Sequence, residues 1–554
     1  MHELTRRLKA NPKLMAELSA ATACLNLLAL ADTIYVMILL RRYIAYGFDG
    51  TLVLLTAGVL VAVGLQWGLM SARGVLASGV GVGEDERLAA AVHEALVGSP
   101  LLTLEALPRE RATQAVSDLG EVQASCDANN VCSLLDAPFA LMFAVSVYFL
   151  SPLLAVIVTL GIVASIAIGW NGARQGRENA RAFTEAVGEG RAILASSTFA
   201  ADTVRLYRGA SFYRRLFRAV QGRIRSLRGV QEDSRSLSQA LGMGVGVLVR
   251  VALYAVGAKL AVEGEMSVAA LIGASILGSY AIAKASGSVQ VGLLMARGQE
   301  AMERLGLILE LPREREDGQR LKSYDGGLEL RGLGFSYGGE ALFSGLDISL
   351  PPGGVLVVRG YNGSGKTTLL RILAGLIKPT EGAVLAAGLS LAEATPAWWR
   401  AQVVCLPQEP FFLAGTIRQN ILMAAPDTEG FVLQAIVRRA NLGNFLDTSA
   451  QGVETPISSA GGTLPVGIRK RLALARTLAG NGRLALLDEP TAGMDEEGTQ
   501  AVYNAMNTMA REGRTLVVVS GDPNIVKGAH MVLDMGIKPV PSVTCTATAQ
   551  GDLQ

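Results

Sequence analysis

Gly360-Tyr361-Asn362-Gly363-Ser364-Gly365-Lys366-Thr367-Thr368 is a complete G-x-x-G-x-G-K-T phosphate loop. Its glycines let backbone N–H groups turn inward around phosphate oxygens at a helix N-terminus, where the helix dipole adds positive potential. The spacing assigns Lys366 to the β- and γ-phosphates and Thr367 to Mg²⁺. Gly360, Asn362, Gly363, Ser364, Gly365 and Thr368 complete the cradle. Upstream, Val355–Val358 reads as a buried strand that feeds the loop. Asp488, which lies 122 residues after Lys366, closes the apolar run Leu484–Leu487. At such a strand end Asp488 completes a Mg²⁺ shell, and Glu489 polarises an attacking water as general base. Two further apolar runs, Val403–Leu406 and Leu516–Val519, have the same character, so residues 326–540 read as an α/β cassette around a parallel sheet.

The rest of the chain is different in composition. Of 554 residues, 50% are hydrophobic and only 18% charged, which points to a membrane protein. A formal net charge of +2 gives no reason to expect a nucleic-acid or acidic partner. Five cysteines show no C-x-x-C pair and no metal-ligand spacing with the three histidines, so buried or inert thiols are expected. Arg6, Arg7, Lys9 and Lys13 precede an apolar run from Leu18 to Leu40. That run is too long for a cleaved signal and lacks a small-residue cleavage site, so it reads as an uncleaved first span.

Apolar stretches suited to ~30 Å of hydrocarbon occur at 18–40, 51–70, 136–150, 151–170, 240–262 and 267–289. Ser151-Pro152 separates the third from the fourth, because proline breaks the helical ladder. The long connections after the second and fourth spans suit helices that continue into the cytosol and turn back. Arginines from Arg174 to Arg228 crowd the fourth-to-fifth connection, whereas the fifth-to-sixth reads Glu263-Gly264-Glu265, which places the long loops in the cytosol. Arg41 and Arg42 break that rule, and paired arginines at a helix end snorkel to the interface. The predicted organisation is a cytosolic segment 1–17, a six-span domain 18–312, a charged linker 313–325, the cassette 326–540 and a flexible tail 541–554.

Phe335-Ser336-Tyr337, Leu406-Pro407-Gln408-Glu409-Pro410 with Gly415-Thr416-Ile417-Arg418-Gln419-Asn420-Ile421, and Leu486 through Asp495 resemble the cassette of ATP-binding cassette (ABC) exporters. Six spans before one cassette is that family's half-transporter order, so the resemblance covers the whole chain. It implies a multidomain protein, an all-α six-helix transmembrane domain plus an α/β P-loop cassette, with ATP and Mg²⁺ as cofactors and a second ABC subunit as homo- or heterodimer partner. By the same resemblance Tyr337 stacks on adenine and Gln408 senses Mg²⁺ and the membrane domain as part of the catalytic set. Asp495 crosses the dimer interface.

Two family elements are written with other residues. Where the family signature reads Leu-Ser-Gly-Gly-Gln and caps the opposite subunit's γ-phosphate, this chain has Leu464-Pro465-Val466-Gly467-Ile468. Pro465 has neither hydroxyl nor N–H, Val466 adds bulk where backbone approach is needed, and Ile468 lacks an amide. Proline is harmless at a helix start, so the helix is expected to form without its phosphate contact. The family's switch histidine follows the strand at Leu516–Val519, and here Gly521 stands at that position. His530 is not expected to replace it, and an inward Asp522 would repel phosphate. The combined expectation is ATP binding with slow hydrolysis.

The first span, with Leu25 through Leu30 and Tyr35-Val36-Met37, is similar to that of type I secretion ATPases, as are Leu134-Leu135-Asp136-Ala137-Pro138-Phe139 and Gly264-Glu265-Met266-Ser267. That resemblance implies inner-membrane export of an unfolded polypeptide, with a periplasmic adaptor and an outer-membrane channel as partners and lipid as surroundings. No long segment precedes the first span, so a peptidase-like domain is not expected. Alternatives are export of a lipid or small molecule, or a regulatory ATP-binding subunit of a heteromeric exporter. Asp32 and Arg250 sit within spans and either pair or line a polar path. Segments 107–121 and 203–217 are candidates for coupling cassette motion to the spans.

Overall fold

The computed structural model describes residues 6–7, 9, 11–44, 47, 49–458 and 461–545. These form two compact units, Met1–Gly98 with Glu105–Leu311, and Ser99–Leu104 with Pro312–Gln554. Among the described residues, six helical stretches are long and apolar enough to cross a membrane: Pro12–Tyr43, Asp49–Val97, Arg111–Tyr148, Pro152–Asn171, Ala210–Val262 and Val268–Leu309. The break at Pro152 falls where the sequence places it, between helices Phe139–Tyr148 and Pro152–Phe199. The helix that carries the first span begins at Pro12, so no structural break marks the expected boundary at residue 18. Helices Pro152–Phe199 and Ala210–Val262 contain 48 and 53 residues. At 1.5 Å per residue each is on the order of 70–80 Å long, more than twice the hydrocarbon thickness.

The spanning helices pack through a core that includes Phe143, Val147, Leu154, Val158, Leu253 and Leu277. Glycine allows the closest approaches. A Cβ on Gly161 would fall 2.5 Å from Val249 Cγ2, and one on Gly273 would fall 2.3 Å from Met37 Sδ. Leu54, Trp67, Leu160 and Leu248 remain exposed on the outer faces, as an apolar solvent would favour.

One buried carboxylate ties four helical segments of this unit together. Asp136 Oδ1 accepts from Asn26 Nδ2 and from Arg73 Nη1, each at 2.9 Å, and Oδ2 accepts from Lys284 Nζ at 2.8 Å. The sequence leaves Asp32 and Arg250 open between pairing and lining a path. Among the described residues no ion pair joins them, and Asp32 instead faces the Tyr280 hydroxyl. In segment 107–121, helix Arg109–Ser125 packs inside the N-terminal unit, with Ala115 and Val122 against Ala301 and Leu305 and with Asp118 bonded to Arg304. Leu101 and Leu102, of the segment assigned to the C-terminal unit, pack on that unit's core.

The C-terminal unit holds two main sheets. An antiparallel sheet has the order β2-β1-β4-β5, from β1 (Leu328–Tyr337), β2 (Glu340–Leu350), β4 (Glu381–Ala386) and β5 (Leu389–Ser390). A six-stranded sheet has the order β12-β11-β3-β10-β9-β6, from β3 (Val355–Arg359), β6 (Val403–Leu406), β9 (Leu484–Asp488), β10 (Thr515–Val519), β11 (Met531–Asp534) and β12 (Ser542–Cys545). The four runs read as buried strands are therefore neighbours in one sheet, and each is parallel to the next. β7 (Gly415–Thr416) and β8 (Pro456–Ile457) form a separate small pair.

The tail is corrected in part. Ser542–Cys545 pairs antiparallel with β11, because a strand edge needs backbone partners rather than apolar side chains; residues 546–554 lie outside the described residues. In the linker, Glu314 bonds Arg400 and Gln319 N donates to Glu393 O, which binds this segment to the cassette. All five thiols are free; Cys126 and Cys132 are buried, whereas Cys24, Cys405 and Cys545 are exposed.

Asp136→Ala strands Arg73 in an apolar interior and is expected to destabilise the chain by about 3–5 kcal/mol. Lys284→Met removes a partly exposed partner and is expected to cost about 1 kcal/mol or less. Thermal unfolding of both variants in nanodiscs checks this, and equal losses would contradict the assigned burial.

Candidate functional site

Parallel pairing places the C-terminal ends of β3, β6, β9 and β10 along one edge. Val358 lies opposite Val519, Val519 opposite Asp488, and Leu406 opposite Leu487. The loops leaving that edge carry the phosphate loop, Asp488-Glu489, Ser520-Gly521 and Gln408, an arrangement in which α/β sheets bind ligands.

The phosphate loop runs from β3 into helix Lys366–Leu373, where Gly365 has φ 102°. A Cβ there would lie 2.9 Å from the Leu342 side chain, so both conformation and space require glycine. Lys366 Nζ donates to Gly360 O at 2.8 Å and Tyr361 O at 3.0 Å. Thr367 Oγ1 donates to Asp488 Oδ2 at 2.8 Å, bringing together the two residues expected to hold Mg²⁺. A hydroxyl beside a carboxylate is an all-oxygen donor set suited to that hard cation. Ser364 Oγ is buried without a hydrogen-bond partner, and the first N–H groups of the following helix have no intrahelical acceptor. These unpaired donors in the loop fit a bound phosphate chain.

The acids carry their own strain. Burial holds the Asp488 carboxyl above the usual carboxylate range, against the Thr367 hydroxyl and the charges of Lys366, Lys470 and Arg371. Glu489 is also raised, first by burial; Lys366 and Lys470 oppose the shift and Asp488 adds to it. The Glu489 backbone is left-handed, with φ 47°, and its N–H donates to Val519 O at 2.9 Å. For a residue with a Cβ that conformation costs about 1–3 kcal/mol and needs surrounding contacts to hold it.

Tyr337, at the end of β1, is half exposed and meets Phe335 edge to face with ring centroids 5.0 Å apart. Gln408 is exposed in the loop after β6. Asp495 caps helix Glu496–Arg511 by accepting from Gly498 N, and both its oxygens accept from Arg471 Nη2, at 2.5 and 2.6 Å.

The two departures have clear local geometry. Pro465 is the N-cap of helix Val466–Ala479, with no side-chain cap bond, so the helix forms as expected. Val466 is half exposed at its first position, while Leu464 and Ile468 pack on the cassette core. After β10, the Asp522 carboxylate is turned away into its own helix start. It accepts from Tyr503 Oη at 2.5 Å and Asn524 N at 2.9 Å, and the Tyr503 bond holds it below its usual range. His530 Nδ1 accepts from Val355 N at 3.0 Å. Val355 is the opposite end of β3 from the phosphate loop, roughly 13 Å away at 3.3 Å per residue, so His530 does not replace Gly521.

Sequence reasoning passed over Lys470 and Arg471. Lys470 is buried, and its Nζ donates to Glu489 O at 3.3 Å and to Ala492 O. Burial lowers its pKa, while Glu489, Asp488 and Glu409 pull it back up. Arg471 Nη1 donates to Asn441 O at 3.0 Å besides holding Asp495. Three consecutive basic residues at 469–471, on a helix followed by an apolar run, were the available signal.

This edge defines a P-loop ATPase cassette, and residues 343–492 match the family model described as ABC transporter. With six helices long and apolar enough to span, the chain is a multi-pass inner-membrane protein that carries an ABC-type cassette. It is similar to the alpha-hemolysin translocation ATP-binding protein HlyB of Escherichia coli O157:H7, with 23% identity over 94% of this chain and 74% of that one. It is also similar to the type I secretion system ATP-binding protein PrsD of Rhizobium meliloti strain 1021, with 25% identity over 93% of this chain and 88% of that one. In fold it matches the structure of a bacterial Atm1-family ABC exporter with ATP bound, with a TM-score of 0.80 at 18% identity over 96% of this chain and 94% of that one.

Because the folded state binds the Asp488 proton more tightly than the unfolded chain, its ionised form is a liability at neutral pH that disappears as pH falls through the raised value. Asp488→Asn is therefore expected to melt above the parent at pH 7.5, with the gap closing towards acid pH, and to lose Mg²⁺-dependent ATP binding. A lower melting point at pH 7.5 would contradict the assigned cost.

Proposed function

We propose that this chain binds ATP with Mg²⁺ at the edge formed by β3, β9 and β10 and uses slow hydrolysis to drive export of an unfolded polypeptide. The observation that carries the reading is the Thr367–Asp488 hydrogen bond beside Lys366, which joins phosphate-binding and cation-binding groups from distant parts of the sequence. In this reading Gly360, Asn362, Gly363, Ser364, Gly365 and Thr368 offer the loop around the phosphates, Lys366 neutralises them, and Tyr337 stacks on the base. Thr367, Asp488 and Gln408 hold Mg²⁺, which when bound offsets phosphate charge. Glu489 accepts a proton from the attacking water.

Attenuation follows from Pro465, Val466 and Gly521, which offer no side-chain donor where a γ-phosphate would need one. A homodimer would have two equivalent, weakened sites; with a different subunit each site would lack one contact. Polypeptide cargo, an adaptor and an outer channel are carried over from the similarity to HlyB and PrsD. A second reading, a regulatory subunit whose partner supplies catalysis, is favoured by the exposed Val466 at the signature helix start.

Removing one transition-state donor costs 10²–10³ in rate, so Mg²⁺-dependent phosphate release by the homodimer in nanodiscs is expected well below ~10 s⁻¹. Gly521→His, or Pro465→Ser with Val466→Gly, is expected to raise it, and Glu489→Gln to abolish it. Parent turnover near ~10 s⁻¹ would contradict attenuation. Binding without turnover, restored by neither repair, would favour the regulatory reading. For export, loss of a secreted polypeptide in a deletion strain should be restored by the parent chain and not by Lys366→Ala.

A further inference from the structure

We infer that Lys470 is a positioning residue for Glu489, holding the strained main chain from which the general base projects. The inference rests on the hydrolytic reading of Glu489 and deepens it. Glu489 adopts φ 47°, a conformation that persists only when neighbours over-determine it. On one side its N–H is held by Val519 O. On the other, its carbonyl accepts from Lys470 Nζ, which also bonds Ala492 O and so closes the turn that follows Glu489. The turn's own backbone bonds are long, Ala492 N to Glu489 O and Met494 N to Thr491 O both at 3.3 Å.

Three features make this more than a packing contact. Lys470 is buried, and an ammonium inside a protein must satisfy its donors, so these carbonyls fix its place. The carboxylates whose charge acts on it are Asp488, at the end of β9, and Glu489 and Glu409 in the loops after β9 and β6, all at the site's edge. Its neighbour Arg471 anchors the far end of the same stretch at Asp495, so one helix grips residues 489–495 at both ends. Lys470 donates to main-chain carbonyls, one of them that of Glu489, so it acts through Glu489.

The test uses the full-length chain in nanodiscs, with Lys470→Met, which keeps length and loses all donors, and Lys470→Gln, whose amide keeps two. Steady-state hydrolysis and amide hydrogen exchange are measured on both. Expected for Lys470→Met are a kcat at least tenfold lower with KM for ATP within twofold, and exchange at least tenfold faster over residues 489–495 alone. Lys470→Gln should recover most of both. Unchanged kcat with unchanged exchange would overturn the inference. So would a loss of ATP binding with faster exchange throughout the cassette, which would mark Lys470 as merely structural. If the parent chain binds ATP but shows no turnover, the hydrolytic reading fails separately. Exchange then decides: faster exchange confined to 489–495 supports the positioning role, and unchanged exchange overturns it.

Discussion

The parallel register of β3, β10 and β9 is the constraint on which the site depends. Because strands run the same way and in step, residues far apart in sequence leave the sheet at one edge, with Val519 opposite both Val358 and Asp488. A slip of one residue would swap the strand side chains between the two buried faces, disrupt the packing on both, and separate Thr367 from Asp488. The two buried clusters on either side of this sheet, which include Val357 and Val518 on one face and Val358 and Val519 on the other, hold the register in place.

The site is uneven in consequence. On the phosphate-loop side every expected donor is present, and burial of Asp488 stores an electrostatic cost that a cation would relieve. Around the signature and switch positions side chains serve the fold: Leu464 and Ile468 pack on the core, and Asp522, next to Gly521, caps a helix. The helix after Pro465 keeps its stability and its grip on residues 489–495 while offering nothing at its start but an apolar side chain. In the proposed reading nucleotide binding and nucleotide turnover rest on different residues, and the altered positions belong to the second set.

Much of this was legible in the sequence because it is written contiguously. The phosphate loop, the strand running into Asp488, the break at Pro152 and the long extensions of the fourth and fifth spans each depend on a few adjacent residues. What escaped depends on partners remote in sequence. The donors to Asp136 lie 63, 110 and 148 residues from it, and no periodicity announces them. β12 has only Val543 and a backbone edge to mark it, and Lys470 works on carbonyls that every residue possesses. The packing of Leu101 and Leu102 on the C-terminal unit's core also went unread, because charge pattern alone does not say which unit a short helix will cover.

Equilibrium titration of the full chain with MgATP and with MgADP tests the central division most directly. In the proposed reading the intact side grips the phosphate chain through the loop and Lys366, while positions 465 and 521 lack the side-chain donors that would add selectivity for the γ-phosphate. The account therefore predicts that both nucleotides bind, with dissociation constants within about tenfold of each other, or about 1.4 kcal/mol. Failure to bind either, or a preference for ATP above about a hundredfold, would contradict it.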